Sequence, residues 1–373
     1  MPEIFRWQDG PDRAEIIQKA VQALIGGRLV AFPTETIYGI AAAAWLPEAV
    51  DRLAACKGRQ GQKPMALAIG GPEEIRHWVP SLGKIGWRLA RRCLPGPVTL
   101  VCEVGSGEGL AGRLPESVRG WVCPAGTLGL RVPDHDAILH VLHSLPGPLV
   151  LTSANPSGEA EATRAGEVAR TFGDRLALII DDGPSPLGRA STVVHIQGEQ
   201  WNVVREGAIS SAVLQSLTAC LIVFVCTGNT CRSPLAEALC KKMLAEQLQC
   251  PIEELGQQGV LVRSAGMSAF SGDRATPEAI EIARELGINL QSHQSQPVTR
   301  ELVFQADYLV AMTQVHVQNL LSRFPYDAPS PVLLCPEGAD VPDPIGCEMA
   351  VYRECARQLQ KHLEPWVRKF QER

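Results

Sequence analysis

The stretch Leu221-Ile-Val-Phe-Val-Cys226-Thr227-Gly228-Asn229-Thr230-Cys231-Arg232-Ser233-Pro234 constrains this chain more tightly than any other. Its first five residues are apolar and mostly β-branched, which predicts a short buried strand. Ser233-Pro234, followed by Leu235, Leu239, Met243 and Leu248, predicts the start of an amphipathic helix. The turn between strand and helix must be tight. Gly228 and Asn229 accept left-handed dihedrals, so successive backbone N–H groups can converge on one point, where the helix N-terminus adds its partial positive charge. Such a turn cradles an anion. Cys226 stands at its mouth, and N–H dipoles together with the Arg232 guanidinium favour a thiolate there. The stretch therefore predicts a cysteine nucleophile facing a bound phosphate, with Thr227, Gly228 and Cys231 completing the loop.

A chain of 373 residues, 45% hydrophobic and 20% charged, is expected to fold into two globular domains. Its net charge of −5 gives no general attraction to nucleic acid. No apolar run approaches the roughly 18 residues of a membrane span, and MPEIFRWQDG lacks the apolar core of a signal peptide. A cytoplasmic chain with no membrane partner is expected. The 12 cysteines are scattered without C-x-x-C spacing, which predicts reduced thiols and no metal site.

In chain order, residues 11–27 read as a helix ended by Gly26-Gly27, and a strand at Leu29–Phe32 runs into Pro33-Thr34-Glu35-Thr36-Ile37-Tyr38-Gly39. Hydroxyls and a glycine thus cluster past a strand end, where α/β sheets bind ligands. A helix over 47–56 delivers Lys57, Arg59 and Lys63 in a glycine-broken loop suited to a polyanion. Further strands carry Thr127 and Arg131, then Ser153 and Asn155, then Ser191, then Arg205, each with polar groups at its end. That recurrence predicts a shared cleft. Residues 210–219 read as a linker between domains at 1–209 and 220–373. Beyond it, strands near 221–226, 260–262, 309–312 and 332–334 alternate with helices to about 249, over 277–286 and over 347–370, predicting a doubly wound parallel sheet.

Residues 11–207 resemble the threonylcarbamoyl-AMP synthase family, with its YrdC-like fold, in the ordered motifs PTETIYG, KGRxxxKP, RVP, SANPSG, STVV and VREG. The resemblance implies a twisted α/β domain that converts L-threonine, bicarbonate and ATP, with Mg2+, into threonylcarbamoyl-AMP and pyrophosphate. The activated group is then passed to tRNA by downstream transferase machinery. It implies nucleotide contacts by Lys57, Arg59, Lys63, Thr127, Asn155, Thr163 and Arg205, and contacts to threonine or carbamate by Thr36, Arg131, Ser153 and Ser191. Ala68 departs from the family, standing where many members carry a histidine.

Residues 221–365 resemble the low-molecular-weight phosphotyrosine phosphatase family in CTGNTCRSP, RSAG, SHQS, ADYLVAMT and DPIG. The resemblance implies that Cys226 attacks phosphorus, Arg232 holds the equatorial oxygens and Asp343 protonates the leaving group. Ser233 would donate to the thiolate, Asn229 would lock the loop with support from His293, and water would hydrolyse the phosphocysteine without a cofactor. Thr230, Thr313 and Ile345 differ from the tyrosine-specific members. CTGNT is similar to the protein-arginine phosphatase branch, in which the threonine at 230 helps position the attacking water. A bifunctional enzyme acting also on a phosphoarginine protein is the expectation; phosphotyrosine is the alternative, followed by arsenate reduction or phosphate-dependent binding. A reductase needs a downstream resolving pair, and no cysteine lies between Cys250 and Cys335.

Overall fold

A strand shows its side chains alternately to its two faces, and this parity decides what each strand of the N-terminal half contributes. Leu29, Ala31, Ile40 and Ala42 enter one apolar cluster, while Val30, Phe32 and Ala41 enter another on the opposite side. The computed structural model describes residues 2–7, 12–58, 63–105, 107–325 and 329–368. It divides into two units, Met1–Leu217 and Thr218–Arg373. The first is built on a mixed sheet whose spatial order is Glu3–Arg6, Leu178–Asp181, Val30–Phe32, Gly39–Ala43, Leu149–Ser153, Ala66–Ala68, Thr127–Arg131, Val98–Glu103, Thr192–Gln197 and Gln200–Arg205. Helices Arg13–Ile25, Pro47–Cys56, Lys84–Cys93 and Asp136–His143 contribute residues to these clusters. The stretch read as a linker holds a helix, Ser211–Leu217, whose Leu214 is fully buried in the first unit's core.

The second unit is a four-stranded parallel sheet in the order Val260–Gly266, Cys220–Cys226, Tyr308–Ala311 and Val332–Leu333. The central strand is buried along its whole length. Ile222, Phe224 and Cys226 join a cluster with the helices Arg232–Leu248, Pro277–Glu285 and Met349–Arg368, whereas Leu221, Val223 and Val225 pack with Leu302, Val303, Val317 and Leu320. The sheet is therefore covered on both faces, as a doubly wound parallel sheet requires. Parallel strands end together, and Cys226 pairs with Gly266 at that end. Among the described residues no helix is long and apolar enough to cross a membrane.

Two local expectations are corrected here. The helix after the loop begins at Arg232 and is not amphipathic in its first turns: Arg232, Ser233, Pro234, Leu235 and Ala236 are all buried. It packs against the sheet and also against the terminal helix, so an apolar stripe does not describe it. In the turn itself only Asn229 is left-handed, at φ 56°; Gly228 is not among the positive-φ glycines. A Cβ at Gly228 would meet only the Thr230 hydroxyl, at 3.4 Å, an ordinary contact.

Gly266 allows the sheet to approach that turn. A Cβ at Gly266 would stand 2.6 Å from the Thr227 carbonyl oxygen and 2.9 Å from the Asn229 nitrogen, both backbone atoms that cannot swing away. Gly266→Ala is expected to destabilise the second unit by about 1–3 kcal/mol and to weaken inorganic phosphate binding. Scanning calorimetry and phosphate titration read both; an unchanged midpoint would contradict the close approach.

Candidate active sites

Strand parity carves a cavity of about 360 Å³ in the first unit. Along Thr127–Arg131, Leu128 and Leu130 point to the core while Thr127, Gly129 and Arg131 line the cavity. Thr99 and Val101 do the same from the neighbouring strand, as do Leu151, Ser153 and Val193 from theirs. Arg131 Nη2 donates to Thr36 Oγ1 at 2.6 Å and to Glu35 Oε1 at 2.8 Å, and more weakly to Thr34 Oγ1 at 3.4 Å. Glu35 takes a second donor, the Asp134 N–H, at 3.1 Å. A buried guanidinium needs a counter-charge, and Glu35 supplies it with both side chains only about a tenth exposed (9% and 10%). One edge of Arg131 is thus fixed. Its buried Nε has no partner among the described residues.

Across the cavity the Ser191 and Thr99 hydroxyls bond at 2.9 Å, and Arg205 Nη2 donates to the Ser191 carbonyl at 2.9 Å. Of the residues singled out from sequence, the cavity brings together Thr127, Arg131, Ser153, Ser191 and Arg205. Thr36 is fully buried behind them and reaches the site through Arg131. Lys57 is also buried: its Nζ donates to the Ser153 carbonyl at 2.5 Å and to Asn155 Oδ1 at 3.1 Å, while Asn155 Nδ2 holds the Glu159 carbonyl at 2.6 Å. Lys57 and Asn155 therefore brace the turn after Ser153 and do not line the cavity. Thr163 lies outside the lining, its carbonyl accepting from the Ser185 N–H. Lys63 is exposed, and Arg59 falls outside the described residues. Ala68 pairs with Arg131 and Leu149 in the sheet and faces core. Sequence reasoning did not select Glu35 or Thr99.

In the second unit the loop is locked by Asn229. Its Nδ2 donates to Ser233 Oγ and Ser264 Oγ, both at 2.9 Å; its Oδ1 accepts the Gln296 N–H at 2.9 Å; its carbonyl accepts His293 Nε2 at 2.8 Å. This aims the Asn229 N–H at Cys226 Sγ, 3.3 Å away, and sets Ser233 Oγ 2.9 Å from the same sulfur. Arg232 Nη2 reaches Thr227 Oγ1 at 3.3 Å and forms a short ion pair with Asp343 Oδ2, while Nη1 holds the Val341 carbonyl at 3.2 Å. Arg232 Nε, buried, has no partner among the described residues. The Thr230 carbonyl accepts from Thr276, and Cys231 Sγ packs 3.5 Å from both Thr276 Oγ1 and Tyr352 Oη.

The expectation of a thiolate-favouring setting is corrected. Burial pushes the Cys226 thiol up, against the Ser233 and Asn229 donors and the Arg232 charge. The physical reason is desolvation: Cys226 is only 2% exposed, and this outweighs the donors and the charge that favour S⁻.

Two further residues escaped sequence reasoning. Phe270 is 79% exposed in a segment whose Met267 and Ser268 N–H groups hold the Cys226 and Thr227 carbonyls, each at 2.9 Å. His316 has a more defined role. Thr313 Oγ1 accepts the His316 backbone N–H and hydrogen-bonds with Nδ1, 2.8 Å away, while Nε2 hydrogen-bonds with Thr227 Oγ1 at 3.0 Å. Arg232 donates to the same hydroxyl, so His316, Thr227 and Arg232 form one connected chain of hydrogen bonds.

Burial lowers the His316 pKa from its ordinary 6.5, with Arg232 adding to the effect. The fold therefore prefers the neutral ring, and this contribution to stability is present above about pH 6.5 and lost as pH falls through the lower folded value. His316→Ala is expected to reduce kcat/KM about tenfold on an aryl phosphate, His316→Gln to recover part of it, and both to flatten the acid-side fall in thermal midpoint. Equal pH dependence in wild type and variants would refute the assignment.

A family model described as telomere recombination, of the Sua5, yciO and yrdC type, matches residues 22–207. A second, low molecular weight phosphotyrosine protein phosphatase, matches residues 221–373. The putative threonylcarbamoyl-AMP synthase of Mycobacterium tuberculosis is 33% identical over 211 residues, covering 57% of this chain and 93% of its own. The Homo sapiens threonylcarbamoyl-AMP synthase is 34% identical over 221 residues, covering 57% and 74%. Among solved structures, P. abyssi Sua5 complexed with L-threonine shares the fold at 23% identity and a TM-score of 0.51, covering 71% of this chain and 92% of that one. The YwlE arginine phosphatase from Geobacillus stearothermophilus is 34% identical with a TM-score of 0.36, covering 41% and 94%. The chain belongs to the threonylcarbamoyl-AMP synthase family through its first unit, and its second unit is a low-molecular-weight phosphotyrosine phosphatase domain.

Proposed function

We propose that the chain is a bifunctional enzyme, and that its first unit makes threonylcarbamoyl-AMP. The observation that carries this reading is Arg131, a buried guanidinium that lines the cavity and is fixed there by Glu35 and Thr36. A carbamate formed from threonine and bicarbonate presents the carboxylate-like group that such a donor fits. Its oxygen attacks the α-phosphorus of ATP and pyrophosphate leaves. Arg205, with Lys63 and Arg59 from the glycine-broken loop, would meet the phosphates; Thr127, Ser153 and Ser191 would orient the small reactants. Thr36 acts through Arg131, and Lys57, Asn155 and Thr163 support the cleft wall. No carboxylate lines the cavity among the described residues, so Mg2+ enters as part of the ATP substrate, held by phosphate oxygens. The product would serve tRNA modification through separate transferases in the cytoplasm.

Gly129 tests this cleft. A Cβ there makes ordinary contact, 3.5 Å from Ala66 Cα, but a larger side chain would extend into the cavity. Gly129→Leu is expected to keep the fold and to cut threonine- and bicarbonate-dependent pyrophosphate release at least about a hundredfold. Retained turnover would place the reaction elsewhere.

For the second unit the reading is a protein phosphatase acting through phosphocysteine, with phosphoarginine preferred. Cys226 Sγ attacks phosphorus as the phosphate dianion takes the place of Asp343 on Arg232. Ser233 and Asn229 then stabilise sulfur as it ionises and later as it leaves. Asp343, 40% exposed and released from the ion pair as a carboxylate, takes the Cys226 S–H proton and delivers it to the leaving nitrogen or oxygen; water then attacks the phosphocysteine, giving its proton to Asp343 as the sulfur leaves. Thr230 supports the arginine preference, as does Ile345, an exposed aliphatic residue where an aromatic wall would suit a phenyl ring. Exposed Phe270 can stack on a planar guanidino group. Thr230→Ile is expected to shift the ratio of kcat/KM values toward phosphotyrosine about tenfold. A wild-type protein already faster on phosphotyrosine would overturn the preference and leave the phosphatase reading intact.

A further inference from the structure

Past the last strand of the second unit, Cys335 and Glu337 meet His362 of the terminal helix Met349–Arg368. Cys335 Sγ donates to Glu337 Oε2 at 3.0 Å, His362 Nδ1 lies 3.9 Å from the same oxygen, and all three ligand atoms fall within 4.8 Å of one another. Neither the phosphate loop nor Asp343 uses any of them. Cys335 is 4% exposed, and the Gly338 N–H bonds its carbonyl at 3.1 Å, so the turn carrying Cys335 and Glu337 is closed on itself. The His362 side chain is 14% exposed on that helix, one turn before Pro365. A thiol, an imidazole and a carboxylate are thus held at one point by two remote segments.

We propose that Cys335, Glu337 and His362 form a Zn2+ site. Tetrahedral zinc binds sulfur at about 2.3 Å and nitrogen or oxygen at about 2.0–2.2 Å, which sets neighbouring ligand atoms roughly 3.3–3.7 Å apart. The observed separations bracket that range, so shifts of about an ångström complete the geometry. The donor set itself selects the metal: thiolate with imidazole suits zinc, whereas Mg2+ and Ca2+ take oxygen. On binding, the Cys335 S–H proton passes to solvent, and Sγ and the carboxylate oxygen each form a bond to the metal. Glu337 is 73% exposed and only three protein ligands converge, so water holds the fourth position and the ion exchanges with solution. The bound ion would tie the segment leading to Asp343 to the terminal helix.

Cys226 is also a zinc ligand in principle, so the test uses the full chain carrying Cys226→Ser, stripped with a chelator. Zinc is measured by equilibrium dialysis, and Co2+ serves as the spectroscopic probe. The expected result is one equivalent of zinc, a raised thermal midpoint and a thiolate-to-cobalt charge-transfer band. Adding Cys335→Ser should abolish the band and weaken zinc at least about tenfold; adding His362→Gln should weaken zinc similarly and leave the band. Absence of the band in the Cys226→Ser chain, or the same band and affinity after Cys335→Ser, would overturn the site. Circular dichroism checks folding, and if Cys335→Ser fails to fold, undiminished affinity in His362→Gln overturns it equally.

Discussion

The phosphate loop depends on the side-chain amide of Asn229. A non-glycine residue at φ 56° carries strain on the order of 1 kcal/mol or more, which persists only where surrounding bonds over-determine it. Here Ser233, Ser264, Gln296 and His293 occupy the amide and the carbonyl. Ser264 in turn donates to Glu237 at 2.6 Å, so the strand end, the loop and the following helix are clamped through one buried side chain. Only with the turn held in this form does the backbone N–H face sulfur.

The two units solve the same problem with different permanence. Each holds a buried arginine, gives it a carboxylate partner, and leaves its Nε without a partner among the described residues. Glu35 is sealed with Arg131, which makes that pair part of the wall. Asp343 is partly exposed, which makes its pair exchangeable. The sheet architectures follow the same division: parity in a mixed sheet gives the first unit a broad walled cavity, while parallel strand ends give the second a narrow turn.

What could be read from sequence was what is local. The strand, the turn, Cys226, Arg232 and the helix start fall within one short stretch, and Arg131 stood out as a charge on an apolar strand. Contacts across long separations could not be read: His316 reaches Thr227 over 89 positions and Arg131 reaches Glu35 over 96. Residue type also misled where burial was decisive. Lys57 looked like one of three loop cations suited to a polyanion, yet it folds inward to brace Ser153 and Asn155. The helix from Arg232 looked amphipathic because its two packing partners, the sheet and the terminal helix, come from distant segments. Spacing rules for zinc likewise cannot register a cysteine and a histidine contributed by separate elements.

The Arg232–Asp343 pair has a consequence for selectivity. An incoming anion meets a guanidinium already occupied by a carboxylate, so association is an exchange and not a simple addition of opposite charges. A singly charged anion gains little over the carboxylate it displaces. A phosphoryl dianion brings twice the charge and more acceptor oxygens, and alone has a clear advantage. Because one anion leaves as another arrives, fewer unpaired charges are consumed than at a bare arginine, and screening by salt affects the two sides of the exchange more evenly. On the proposed phosphatase reading, the loop would discriminate against the chloride and carboxylates that surround any protein, using its own carboxylate as the standard of comparison.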